Sequence, residues 1–219
     1  MKPFSQYAIE IEGDNTYCGS VDVVLKTMFK YSFCKILFNS LPTDKTIVIS
    51  PYIPTPKDLC NAYSAAPIEG WFSTTLPIKF TPGMWDVGSS CYRSGPGGMP
   101  DEILMHEILH AYRKAKGSYL SKDFSKKDKD FDTVEEIFAI VLTNIYLSEK
   151  GKSLLRKDHA GFDVLPKSWT TSDGIMRDHD YNEWISKFWN TDFALASQIS
   201  HSTAPFNPFR NYRQVTFGR

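Results

Sequence analysis

At 219 residues with 42% hydrophobic side chains, the chain is long enough to bury one substantial core and has the apolar content of a globular protein. Lysine plus arginine and aspartate plus glutamate balance at 25 each, which argues against nucleic acid or an anionic membrane as the main partner. No apolar run approaches bilayer length, and Met1-Lys2-Pro3-Phe4-Ser5 is not a basic region followed by an apolar stretch. Neither a membrane span nor a Sec-type signal is expected, so export would need another route.

Residues 7–12 alternate (Tyr-Ala-Ile-Glu-Ile-Glu) and stop at Gly13-Asp14-Asn15, a strand and turn. Over 21–41, Val24, Leu25, Met28, Phe29, Phe33, Ile36, Leu37 and Leu41 recur at helical spacing, as one helix or two short ones. Residues 46–50 (Thr-Ile-Val-Ile-Ser) predict a strand ending at Pro51, followed by a loop carrying Pro54, Pro56 and Pro67. A further strand is expected over 76–81, broken at Pro82-Gly83. After the glycine-rich stretch 95–98, Pro100 suits the first position of a helix, Asp101 and Glu102 favour its N-terminal end, and Gly117 can close it. Residues 121–132 form a charge-dense loop, read as solvated linker.

Thr133 is placed to cap a strongly apolar helix over 134–150, with Glu136 as its capping-box partner. Residues 151–219 read as short helices and irregular segments, with 182–189 helical. No repeat or clear linker divides the chain. The expectation is one α+β domain over 1–219: a strand-containing part (1–99), two helices (100–150) and a helical or irregular C-terminal part (151–219). Cys18, Cys34, Cys60 and Cys91 contain no CxxC pair, which argues against a structural zinc site built from them. Their clustering in the first half leans toward at least one disulfide, with the pairing open.

Residues 106–110 read His106-Glu107-Ile108-Leu109-His110, an HExxH pentad inside the first of the two helices. Chance produces this pattern in about one of two hundred chains of this composition. Histidines four apart on a helix lie one turn along on one face and can reach one metal ion, with the intervening glutamate beside the ion's open side. That is the working arrangement of a zinc hydrolase, in which the glutamate takes a proton from zinc-bound water. The bland alternative is a helix whose histidines are ordinary core or surface residues.

A catalytic zinc usually takes a third protein ligand. The HExxHxxGxxH extension is absent, since Arg113 and Lys116 stand where glycine and histidine would, and no NExxSD element follows. Glu135 and Glu136 remain, at the head of the apolar helix. The competing reading is that both only cap it. His159, His179 and His201 are also open as ligands, although none has a helical partner at ligand spacing.

Glu136-Ile137-Phe138-Ala139 resembles the Glu-Phe-Phe-Ala element of anthrax lethal factor, a gluzincin. With residues 101–113, 135–146 and the closing Ala204-Pro205-Phe206-Asn207-Pro208-Phe209-Arg210, about a fifth of the chain is similar to bacterial zincin effector domains, including those attached to type VI secretion spike proteins. The resemblance implies a zincin-like α+β fold, with a small mixed sheet packed on the HExxH helix and a second, Glu-bearing helix. It also implies one Zn2+ ion held by His106, His110 and Glu136, with Glu135 in reserve and Glu107 as general base.

The implied function is a zinc-dependent metallopeptidase acting on protein or peptide as a secreted effector or toxin. Delivery would be by a non-Sec route to target-cell periplasm or host cytoplasm, with a secretion-spike carrier and an immunity protein as partners. Transition-state stabilisers are sought among Tyr181, His179, His201, Arg210 and Tyr212. Zincins bind substrate along a sheet edge, and residues 76–81, flanked by proline, are the expected edge strand. Two other functions fit the same motif: a zincin-fold binding protein without catalysis, and a zinc amidase acting on a non-protein amide.

Overall fold

The computed structural model describes residues 7–65, 74–120, 131–159 and 162–218, so Pro67 of the proline-bearing loop and residues 121–130 of the expected charged linker lie outside it. Among the described residues the chain is α+β, with one four-stranded mixed sheet and eight α-helices. It gathers into two compact units, the first holding residues 1–30, 41–94 and 98–119 and the second 31–40, 95–97 and 120–219. The two expected active-site helices therefore do not share a unit.

In the first unit the alternating N-terminal segment forms β1 (Ile9–Ile11). The turn after it starts a helix six residues earlier than the apolar pattern predicts. Oδ1 of Asp14 accepts the backbone N–H of Tyr17 at 2.7 Å and so N-caps α1 (Asn15–Met28), whose buried Val21, Val24, Leu25 and Met28 keep the expected one-face spacing. Next come β2 (Thr46–Ser50), the two-residue β3 (Tyr63–Ser64), β4 (Thr75–Lys79) and the motif helix α3 (Pro100–Ala115). The order across the sheet is β1-β2-β4-β3; β1, β2 and β4 run parallel and β3 is antiparallel. The register aligns Ile9, Ile47 and Leu76 in one row and Ile11, Ile49 and Ile78 in the next. Each well-buried aliphatic side chain in such rows contributes about 1.5–3 kcal/mol.

The expected edge strand is corrected by this order. β4 is an interior strand between β2 and β3, and the edge is β3. Pro77 lies in β4, opposite the end of β3. Its carbonyl accepts the N–H of Ala65 at 2.9 Å, so the N–H that proline lacks would also have faced β3, and that rung is missing while β2–β4 stays whole. The loop before β3 is tied by a Cys60–Cys91 disulfide, while Cys18 and Cys34 are free thiols.

In the second unit, α4 (Val134–Glu149) is buried along nearly its whole length, as a helix apolar on all sides must be. α2 (Ser32–Asn39) packs against it. The Glu149 carboxylate, at the end of α4, accepts the first N–H groups of α2 from Ser32 and Phe33, each at 2.9 Å. The expected helical stretch near 182–189 lengthens to α6 (His179–Thr191), N-capped by Asp178, between the short α5 (Ser172–Met176) and α7 (Phe193–Ser200). α8 (Pro208–Phe217) closes the chain. Asn207 caps it, accepting from Arg210 N and donating to the carbonyl of Ile199 at 2.8 Å.

Candidate metal centre

Each ligand side chain is placed by its own helix. α3 opens with Pro100 at its first position and Glu102 reaching back to the N–H of Met99. It closes as the sequence predicts. Gly117 is left-handed at φ 65°, and the N–H groups of Gly117 and Ser118 bond the carbonyls of Lys114 and Arg113, a Schellman ending. α3 packs on β4, β3 and α1, and His106, Glu107 and His110 are all buried. The two imidazoles stand perpendicular, centroids 4.6 Å apart, with their Nε2 atoms 3.0 Å from each other. Two nitrogens on one tetrahedral zinc lie about 3.3 Å apart, given Zn–N distances of about 2.0–2.1 Å. The pair is thus spaced for a single ion.

Among the described residues one group of histidine, cysteine and carboxylate side chains could hold a metal ion: His106, His110 and Glu136, whose ligand atoms all lie within 4.8 Å of one another. Two imidazoles and a carboxylate form a donor set that suits zinc. Glu136 enters from the first turn of α4. Thr133 is the N-cap residue of that helix, but its side chain makes no capping hydrogen bond, so the expected capping box does not form. Glu135, the reserve ligand, is fully buried and accepts the backbone N–H of Leu120 at 3.0 Å.

Glu107 has a partner that nothing in its sequence neighbourhood foretells. Its Oε2 accepts the backbone N–H of Ser64 at 2.8 Å, and Lys114, two turns on, donates to the carbonyl of Ser64. Ala65 N–H points to β4, so the N–H and carbonyl of Ser64 point away from it, to the open side of the sheet. Two side chains of α3 thereby cover an edge that would otherwise offer unpaired backbone groups. The approach to β3 is held independently. The Tyr52 hydroxyl donates to the carbonyl of Asp58 at 2.7 Å, with burial first and the Asp58 side chain second raising its phenol pKa, and Cys60 is bonded to Cys91.

His159 sits beside Glu136. Its Nε2 lies 3.3 Å from Oε2 of Glu136, and its Nδ1 lies 2.9 Å from Oδ2 of Asp132. The other C-terminal candidates have the following places. His201 contacts the carbonyl of Ser197 and the guanidinium of Arg213. Arg210 donates to the carbonyls of Ser202 and Ala204, and Tyr212 shares a hydrogen bond with Ser186 at 3.0 Å. Tyr181 packs edge-on against Trp169, and His179 is 90% exposed at the start of α6. None of these five belongs to the group that could hold an ion.

No protein-family model matches the chain, and neither a curated protein nor a solved structure matches it.

Proposed function

We propose that this chain is a zinc metallopeptidase of zincin-like fold, with His106, His110 and Glu136 holding one Zn2+ ion and Glu107 acting as general base. The observation that carries the reading is the convergence of those three ligands with Glu107 on the same helix as two of them. A bound zinc supplies Lewis acidity, polarising a carbonyl and making a water acidic near neutral pH. Glu107 accepts the proton of the attacking water and delivers it to the departing amine nitrogen. The buried setting of Glu107 excludes bulk water that would compete for that proton. Substrate in this reading is a protein or peptide, and pairing with the β3 edge would require Glu107 and Lys114 to release the backbone of Ser64.

The biological setting we propose is that of a bacterial effector or toxin, accompanied by a secretion-spike carrier and an immunity protein. The Cys60–Cys91 disulfide suits an oxidising destination such as a periplasm. A second reading has one specific observation in its favour. The Ser64 N–H on Glu107 is a structural use for that carboxylate, as expected of a zinc-binding protein without catalysis.

Zinc analysis combined with a protein-degradation and toxicity assay separates the two. In a peptidase, Glu107→Gln keeps its zinc and loses turnover, while His106→Ala or His110→Ala loses the metal. Cleavage by Glu107→Gln at the normal rate would overturn the assignment. Stoichiometric zinc with no Glu107-dependent cleavage or toxicity would favour the binding protein.

A further inference from the structure

We infer that His159, held by Asp132, is a positioning residue for the metal ligand Glu136. The inference rests on the metal-centre reading above and extends it to two residues outside the ligand group. Glu136 stands in the first turn of α4, and its Oε2 faces Nε2 of His159 at 3.3 Å, an ion-pair contact. On the other side of the ring, Nδ1 lies 2.9 Å from Oδ2 of Asp132. The ring thus lies between two carboxylates, with one nitrogen toward Asp132 and the other toward Glu136. Pinned at one nitrogen, the imidazole presents the other to a fixed point. Its contact with Oε2 limits the orientations in which the Glu136 carboxylate can meet an ion. Outer partners that orient a ligand in this way are worth about 10–100-fold in metal affinity.

The segment bearing His159 is itself anchored from the helix that bears Glu136. Asn144, two turns along α4, exchanges two hydrogen bonds of 2.8 Å with the backbone of Arg156. The buried Arg156 guanidinium then donates to the carbonyls of Asp158, at 2.7 Å, and His159. It also stacks over Phe162 at 4.0 Å. Glu136 and the residue that orients it are thus referred to one helix, so the ring keeps its place relative to the ligand. His159 lies 49 residues beyond His110 with no motif spacing to either motif histidine, so only the folded chain reveals the contact.

The test is zinc affinity, measured by competition with a chromophoric chelator on the full chain. Wild type is expected to bind one zinc, and His159→Ala to bind it about 10–100-fold more weakly. His159→Gln, which keeps an N–H donor near the Nε2 position, should recover most of the loss. Asp132→Asn should fall between wild type and His159→Ala. Thermal unfolding of the metal-free proteins checks that lost affinity is not lost folding. If His159→Ala does not fold, Asp132→Asn, altered at an exposed side chain, decides the question. Affinity within about twofold of wild type in the folded variants would overturn the inference. So would a His159→Gln loss as large as that of His159→Ala with Asp132→Asn unaffected, because the imidazole would then be a ligand. Wild type that binds no zinc would instead sink the metal centre, and this inference with it.

Discussion

Glu107 is the residue on which the functional reading turns, because the structure already gives its carboxylate a partner in Ser64. The expected result for Glu107→Gln is a fall in turnover of about a hundredfold or more with zinc retained, since the amide cannot take the proton. Rate and metal content measured on the same sample check it. Gly97 shows how a single residue can matter without touching the chemistry. It is left-handed at φ 85°, and a Cβ there would meet Cδ of Arg156 at 2.9 Å. Gly97→Ala should cost about 1–2 kcal/mol from backbone conformation alone, read from urea denaturation, with further loss if Arg156 is displaced.

At the scale of elements, β3 is the least self-sufficient piece. It has two described residues, Pro77 opposite its end cannot donate a ladder hydrogen bond, and the outer groups of Ser64 are met by Glu107 and Lys114. What fixes its approach is the disulfide, closing a loop with a sequence separation of 31. Loop entropy for that length gives about 3–4 kcal/mol, so reduction should lower unfolding stability by an amount of that order. Denaturation with and without a thiol reductant, compared with Cys60→Ser, measures it. The joint between α4 and α2 is a second test. Glu149→Ala removes the carboxylate that receives both Ser32 and Phe33 N–H groups and should cost about 1–2 kcal/mol.

Over the whole molecule, stability against high pH has an identifiable contribution from Cys34. This thiol is fully buried in α2, and burial first, then the charge of Glu149, raise its pKa far above the ordinary 9.0. The folded state therefore holds the proton more tightly than the unfolded chain. Its contribution to stability is whole below the ordinary thiol pKa and is progressively lost as pH rises above it. Unfolding free energy should fall as pH rises above about 9, and Cys34→Ala should flatten part of that slope. A Cys34→Ala protein with the wild-type slope would show that other groups carry it.

Periodicity and chemistry local to the chain were legible before folding. The alternation of residues 7–12, the run 46–50, the HExxH helix with Pro100 and Gly117 at its ends, and the apolar helix after Thr133 all depend on neighbours within a few turns, and each forms close to where its pattern lies. His106 and His110 were legible as a pair for the same reason, since residues four apart on a helix share a face, whereas Glu136 was singled out by the resemblance of its helix start. Contacts across long separations were decided only by the tertiary structure. The choice of β3 over β4 as the edge depends on strand order. The Cys60–Cys91 pairing, the Ser64 N–H on Glu107 and the His159 ring against Glu136 depend on where distant segments meet. No local pattern encodes such meetings, because they follow from how whole elements bury their apolar faces together.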